Sequence, residues 1–305
     1  MSATETRELQ SPPGGLGLLA RAAAPMVPLA SRLPFVAGGG KALPDLELVL
    51  RDARADRDAL AGYARVCAFP LRNTLPATYP HVLAFPLHMA LMTDGRFPFP
   101  AIGLVHVANA ITQHRPIAVT EPLTITVRAR DLQPHPKGRT FAIATEARSG
   151  DELVWEETST MLRRGGGTGE QRKEPAKAEL EASATWRLPG DLGRRYAAVS
   201  GDRNPIHLHD LTAKAFGFPR AIAHGMWTAA RCLAALDARL PDAFTAEVEF
   251  RRPILLPATV AFATSGPTHP RTGTRFTVRD ARAGTPHLDG TVRPVKSPKR
   301  RRTAS

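Results

Sequence analysis

The sequence has few residues that could form a disulfide or a thiolate metal site. Cysteine occurs only at Cys67 and Cys232 among 305 residues. Both lie in apolar helical patterns, where a buried free thiol is the usual state. No Cys and His spacing typical of a zinc site is present. We therefore expect no disulfide, no metal and no cofactor.

The sequence also lacks an apolar run long enough for a membrane helix. Its most apolar early stretch, residues 14–40, is interrupted by Arg21, Arg32 and three prolines, whereas a spanning helix needs roughly 20 continuous residues. The first ten residues contain Glu5 and Glu8 rather than a basic cluster, which does not fit a secretory signal. These absences predict a cytoplasmic protein without membrane insertion.

Acidic residues are outnumbered, with 28 Asp and Glu against 41 Lys and Arg and a net charge of +13. Much of this excess lies from Arg293 onward, where basic residues occur without any acid. A basic end of this kind is typically disordered and solvated, and attraction to a polyanion is the alternative. We expect no specific nucleic-acid binding, and a basic folded body would suit a substrate that carries phosphates.

Composition divides the chain into five segments. Residues 1–44 are rich in Pro, Gly and Ala with little periodicity and predict a loosely structured arm, while a glycine run followed by charged residues predicts a linker over 165–182. The folding units are then 45–164 and 183–295, followed by a basic disordered tail, 296–305.

The two units resemble one unit duplicated. The hexapeptide that starts at Tyr63 resembles the one that starts at Tyr196, and Arg115-Pro-Ile has a counterpart in Arg252-Pro-Ile. The matches occur in the same order in both units, which is typical of an internal repeat.

Each unit contains a helix followed by several strands. Apolar residues recur at spacings of three and four from Met226 to Leu240, before Pro241, and the first unit has a helical pattern over 86–93. Strands are predicted over 47–50, 104–110, 123–129, 140–145, 153–161, 245–250, 260–264, 275–278 and 288–292. Strands that follow a helix consecutively predict an α+β fold with an antiparallel sheet.

The strongest chemical signal is the segment Tyr196-Ala-Ala-Val-Ser-Gly-Asp-Arg-Asn-Pro-Ile-His207. Gly-Asp-x-Asn-Pro alone is a good turn sequence, but here it pairs the carboxylate of Asp202 with the imidazole of His207. A rigid loop can hold two such groups around one water for proton transfer. Gly225 follows at a predicted helix start, where a free backbone N–H lies at the positive end of the helix dipole and could stabilise an oxyanion.

With Ala223-His224-Gly225-Met226 downstream, this segment resembles the signature of the MaoC-like, R-specific enoyl thioester hydratases and dehydratases. The resemblance implies a hot-dog fold, in which an antiparallel sheet wraps a long central helix. With both units it implies a double hot-dog. The stretch Tyr79–His88 is similar to the same region of actinobacterial (3R)-hydroxyacyl carrier-protein dehydratases.

The resemblance also implies a reaction, the reversible hydration of a trans-2-enoyl thioester to a (3R)-3-hydroxyacyl thioester in fatty-acid metabolism. The acyl group would be carried on coenzyme A or acyl carrier protein, and a homodimer is compatible with these observations. Asp202 and His207 would handle water and protons, and the Gly225 N–H would be the oxyanion donor. The residues expected to support the site or contact substrate are Asn204, Ser200, Tyr196 and His224.

The first unit departs from this motif. Phe69 aligns with Asp202, and the following Pro-Leu-Arg supplies no histidine. We therefore predict that this unit has no catalysis of its own, completes the sheet and opens a tunnel for a longer acyl chain.

Four histidines of the first unit lie in or near apolar runs, namely His81, His88, His106 and His114. They are predicted to be hydrogen-bonded core or surface residues. In the repeat alignment His88 lies opposite Gly225, which makes it a candidate for the cavity wall.

Other functions remain as alternatives. His207, His209 and Asp210 could bind a metal, but no further Cys or His cluster completes the set. Ser200 is not in a Gly-x-Ser-x-Gly context, so a serine nucleophile is not indicated. A thioesterase on the same fold and a non-catalytic protein that binds acyl thioesters are the alternatives to a hydro-lyase.

Overall fold

A computed structural model describes residues 4–14, 17–18, 21–22, 40–167, 180–266 and 273–295. The predicted basic tail and most of the predicted linker lie outside these residues. No helix in the described part of the chain combines the length and the apolar character that crossing a bilayer requires.

Eleven strands of the described residues form one continuous sheet in the order β1-β2-β4-β5-β6-β3-β8-β11-β10-β9-β7. Their bounds are β1 Glu5–Leu9, β2 Leu46–Ala53, β3 Leu104–Gln113, β4 Leu123–His135, β5 Gly138–Ser149, β6 Glu152–Arg164, β7 Ala182–Leu188, β8 Phe244–Phe250, β9 Ala258–Thr264, β10 Thr274–Asp280 and β11 Pro286–Pro294. Strand β1 is parallel to β2, and the other pairs are antiparallel. The strand order is mirrored about the β3–β8 pair, so each unit forms half of the sheet. The α+β prediction is confirmed.

Every strand predicted from the sequence is present. The exception to the predicted pattern lies at the N-terminus, where the expectation of a loosely structured arm is wrong for Glu5–Leu9. This short strand is mostly exposed, and it is held by the pairing of Glu5 with Leu46 and by an ion pair with Arg96 at 2.7 Å. These contacts are with residues distant in the chain. The strand itself is mostly exposed and has no hydrophobic alternation, so no local pattern predicts it.

Five α-helices lie entirely within the described residues. They are α1 Arg57–Cys67, α2 Tyr79–Met92, α3 Leu192–Ser200, α4 Asp210–Ala215 and α5 Gly225–Leu236. Short 3-10 turns follow at Pro205–His207 and Asp237–Arg239.

Helix α5 is the central helix of the second unit. It buries Met226, Ala229, Leu233 and Leu236 in the hydrophobic core, and each large apolar side chain contributes about 1.5–3 kcal/mol on burial. The apolar periodicity predicted this face correctly, although the α-helix ends at Leu236 and the last turn before Pro241 is 3-10.

Helix α2 begins earlier than predicted. It starts at Tyr79 with Pro80 in its first turn and contains Pro86 inside. A proline is favoured in the first turn of a helix, and here the first of two prolines marks the start. Because the helix is apolar on several sides and largely buried, it lacks the one-sided pattern that would have shown its full length.

The residues at which α2 and α5 begin change the alignment of the two units. Thr78 precedes α2 as His224 precedes α5, so the position opposite Gly225 is Tyr79, and the pairing of His88 with Gly225 is wrong. The Tyr63 hydroxyl lies 2.8 Å from Thr78 Oγ1, in the place where the Tyr196 ring packs on His224. The first unit thus has threonine where the second has histidine.

Candidate active site

The loop between α3 and α4 is fixed by hydrogen bonds to its own backbone. Gly201 ends α3 in the left-handed region at a φ of 76°, a conformation that glycine adopts without strain. Ser200 Oγ accepts the Asp202 N–H at 3.2 Å, and Asp202 Oδ1 accepts the Asn204 N–H at 3.1 Å. Asn204 Oδ1 accepts the Ile206 N–H at 3.4 Å and caps the 3-10 turn. The stiff loop predicted from glycine and proline is present.

Three side chains meet at this loop. One potential ligand atom from each of Asp202, His207 and His224 lies within 4.8 Å of those of the other two. His207 and His224 are buried at 8% and 2% exposure, whereas the Asp202 side chain is 29% exposed. The carboxylate is therefore the group that solvent reaches most easily.

The hydrogen bond of His207 defines which ring nitrogen can act as a base. Its Nδ1 lies 2.8 Å from the carbonyl oxygen of Ile222, so this nitrogen carries a proton and donates it. Burial lowers the pKa of His207, opposed by the Asp202 charge and by the bond to Ile222. The imidazole is neutral near pH 7, with its lone pair on Nε2.

His224 supports the loop from the start of α5. Its Nε2 donates to the backbone oxygen of Asp202 at 3.0 Å, and its ring stacks on His207 with centroids 3.7 Å apart. The Tyr196 ring packs against the His224 ring, with centroids 4.8 Å apart. Burial, reinforced by His207, lowers the pKa of His224 to about 3, so the two stacked rings avoid carrying like charges.

The Asp202 carboxylate is ionised at neutral pH. Burial alone would raise its pKa, but His224, His207 and the Asn204 N–H hold the pKa below its usual value. The site thus offers a carboxylate and a neutral imidazole, two proton acceptors on one loop.

Gly225 lies at the first position of α5. Among the hydrogen bonds of the described residues, none uses its N–H, as expected for the first turn of a helix. A Cβ at this position would lie 3.1 Å from the Phe250 ring. The structure therefore brings an unused donor close to the Asp202 loop and leaves no room for a larger residue without movement of Phe250.

Two groups of side chains could hold one metal ion by distance, namely Asp202 with His207 and His224, and His81 with His88 and Glu157. In the first group, one nitrogen of each histidine is already bonded to a backbone carbonyl. His209 and Asp210 are exposed and belong to neither group among the described residues. The absence of a metal stays a prediction.

Gly193 in α3 packs against the backbone of His207. The sequence analysis did not identify this residue. A Cβ on Gly193 would lie 1.9 Å from the His207 carbonyl oxygen, so the helix and the turn can touch only through glycine. A glycine inside a helix lowers helix stability by up to about 1 kcal/mol relative to alanine. Its presence in α3 was the one sequence feature that could have indicated a special role.

Gly193→Ala is expected to displace His207 and to lower kcat by about 10²-fold, since a shift of about 1 Å can have that effect. The Michaelis constant should change much less, which steady-state kinetics would show. Gly190→Ala is the matched control because a Cβ there meets only Pro257 Cδ, at 3.9 Å. A Gly193→Ala protein with the wild-type kcat would contradict this role.

Comparisons with known proteins point to one family. The model of the MaoC like domain matches residues 170–271. The 3-hydroxyacyl-thioester dehydratase X of Mycobacterium tuberculosis is 40% identical over 286 residues, which cover 92% of this chain and 98% of that protein. A second protein of the same organism, 3-hydroxyacyl-thioester dehydratase Y, is 28% identical over 49% of this chain and 56% of its own length.

Solved structures show the same fold. The crystal structure of HtdX of M. tuberculosis has a TM-score of 0.73 at 38% identity and covers 82% of this chain and 100% of that chain. A MaoC-like dehydratase from Phytophthora capsici has a TM-score of 0.67 at 19% identity, covering 82% and 95%. From the identity and coverage with the M. tuberculosis protein and from the shared fold, this chain belongs to the MaoC-like dehydratases and has their double hot-dog architecture.

Proposed function

We propose that this chain is a hydro-lyase that interconverts a trans-2-enoyl thioester and water with a (3R)-3-hydroxyacyl thioester. The main supporting observation is that the Asp202 carboxylate and the His207 imidazole lie within 4.8 Å of each other on one stiff loop. The M. tuberculosis relative with 40% identity is named as a dehydratase of 3-hydroxyacyl thioesters, which supports the same chemistry here.

In the hydration direction, a water held between Asp202 and His207 gives one proton to this pair while its oxygen forms a bond to Cβ. The pair then returns a proton to Cα, so that H and OH are added across the double bond. Such acid–base assistance typically contributes about 10²–10⁴ in rate. Negative charge that develops on the thioester oxygen is stabilised by the Gly225 N–H, and loss of one such donor costs roughly 3–4 kcal/mol in other enzymes.

The carrier of the acyl group is coenzyme A or acyl carrier protein in this proposal. Both present the acyl group on a phosphopantetheine arm, and the net charge of +13 favours phosphate-bearing partners. Comparing kcat/KM for one acyl chain on each carrier would decide between them.

The test is the ultraviolet absorbance of crotonyl-CoA and of a longer trans-2-enoyl-CoA incubated with the protein. We expect the conjugated absorbance to fall without release of free thiol, and chiral chromatography to identify the (3R) product. Release of thiol with intact enoyl absorbance would instead indicate a thioesterase. Binding of the thioester with no reaction would indicate a non-catalytic binding protein.

A further inference from the structure

A cavity of about 380 Å³ lies against the sheet, away from the catalytic loop. Residues of five adjacent strands line it, and these strands are β6, β3, β8, β11 and β10. Pockets that bind small molecules usually have volumes of about 300 to 1,000 Å³. The cavity is therefore large enough for a small metabolite.

The cavity is on the face of the sheet opposite to the reaction centre. Successive side chains of a strand point to opposite faces. On β8, Val248 lies in the hydrophobic core, and Phe250, two residues on, meets Gly225. Glu247 and Glu249 point the other way and line the cavity. A molecule in the cavity would thus be separated from the catalytic loop by the sheet.

Strand β10 presents two arginines and a threonine to this cavity. Arg275, Thr277 and Arg279 line it, and they alternate with Phe276 and Val278 of the hydrophobic core. Both arginines are only partly exposed. At the rise of a β-strand, the three side chains form a row about 13 Å long.

This row has donors that are not used within the described part of the chain. Thr277 is 7% exposed, and its Oγ1 is buried without a hydrogen-bond partner. The Arg275 guanidinium forms no hydrogen bond or ion pair with the described residues, and Arg279 has a long contact of 3.5 Å with the Gly284 oxygen. Arg115, which is also partly buried, pairs with two carboxylates. Because buried polar groups are normally satisfied, a ligand with acceptor oxygens would suit the row.

The carboxylates that line the cavity already have partners. Glu247 pairs with Arg293 at 3.2 Å, and Glu249 and Asp289 both pair with Arg251. With the two arginines of β10, four guanidinium groups surround three carboxylates. The excess of positive charge favours an anion over a cation.

The chemistry of the lining changes from one end of the cavity to the other. At β10, guanidinium groups can bind phosphate oxygens through paired hydrogen bonds, and the threonine hydroxyl adds another donor. Ala108 and Ala110 of β3 line the other end, three strand spacings or about 14 Å away. Glu249 and Asp289 lie between the two ends. Carboxylates at such a place can accept hydrogen bonds from hydroxyl groups, as an acidic residue does from ribose in nucleotide sites.

We propose that this cavity binds a small organic phosphate that carries hydroxyl groups, which is the chemistry shared by nucleoside monophosphates and sugar phosphates. Arg275, Thr277 and Arg279 hold the phosphate, and the ligand hydroxyl groups donate to Glu249 and Asp289. This site is independent of the proposed hydration activity, because it lies on the other face of the sheet and uses none of the catalytic residues.

The test is isothermal titration calorimetry of the full-length protein with adenosine 5′-monophosphate, glucose 6-phosphate and inorganic phosphate. We expect saturable binding of at least one of the two esters. Its affinity should exceed that of inorganic phosphate by about tenfold or more, because one additional charge-assisted hydrogen bond can have that effect. The ester that binds more tightly distinguishes a nucleotide from a sugar as the source of the phosphate.

Substitutions in the β10 row locate the binding site. Arg275→Gln and Arg279→Gln should each weaken binding of the ester by about tenfold, since each removes a charged donor. Thr277→Val keeps the shape of the side chain and should weaken binding less. Arg282→Gln is the matched control, because Arg282 is an exposed arginine just after β10 that does not line the cavity. Arg279→Gln replaces Arg275→Gln if thermal unfolding shows that the latter does not fold.

The inference would be overturned if neither ester bound saturably, or if both bound no more tightly than inorganic phosphate. Wild-type affinity in both Arg275→Gln and Arg279→Gln would overturn it as well. An equal loss of affinity in Arg282→Gln would have the same consequence, because the net charge of the protein rather than the cavity would then control binding.

Discussion

Asp202→Asn is expected to lower kcat for hydration by about 10²–10⁴-fold, the usual contribution of a group that transfers protons. The amide cannot accept a proton, but its oxygen can still accept the Asn204 N–H that Asp202 Oδ1 accepts in the wild type. The loop should therefore keep its shape, and the melting temperature should stay close to that of the wild type.

The measurement is the initial rate of absorbance loss with crotonyl-CoA, together with thermal unfolding. Asp191→Asn serves as the control, because Asp191 is an exposed aspartate at the start of α3 and caps no N–H with its side chain. An Asp202→Asn protein that kept more than about a tenth of the wild-type rate would remove Asp202 from the proton transfers.

His207→Asn is expected to have an effect of similar size, about 10²–10⁴-fold on kcat. The asparagine amide can donate to the Ile222 oxygen as Nδ1 does at 2.8 Å, but it has no counterpart of the basic Nε2. The variant thus separates loss of the base from loss of the loop contact.

The wild type should keep its hydration rate from neutral pH down to mildly acidic pH. His207 and Asp202 must both be deprotonated, and both have pKa values below the usual ones, so the rate falls only as the pH drops through these lowered values. His209 is an exposed histidine two residues away, and His209→Asn should match the wild type at every pH.

For the His207→Asn variant, a wild-type kcat would exclude the imidazole as a base.

The second unit could be predicted well from the sequence because its signals are local. The glycine and proline of the Asp202 loop, the apolar face of α5 and the alternating strands each depend on neighbours in the chain. The meeting of Asp202, His207 and His224, with Gly225 next in the chain, follows from these elements.

The residues that the sequence did not reveal depend on distant contacts. His81 and His88 were predicted to be hydrogen-bonded core or surface residues, and the structure shows both buried and hydrogen-bonded. Their spacing of seven places them on one helix face. The partner of His81, Glu157, lies on β6, and Glu156 and Glu157 look alike in the sequence although only the second is buried. The Gly193 contact with His207 likewise arises only when helix and turn pack together.

The β3–β8 pair joins both halves of the sheet within a single polypeptide. In a pair of identical subunits, any substitution made on one side of the junction appears on the other side as well. Covalent fusion removes this constraint, so one half could acquire Thr78 while the other kept His224, and each could be selected for a separate task. A pair of identical subunits could not have this asymmetry, in which a single proton-transfer loop faces a wall with different side chains.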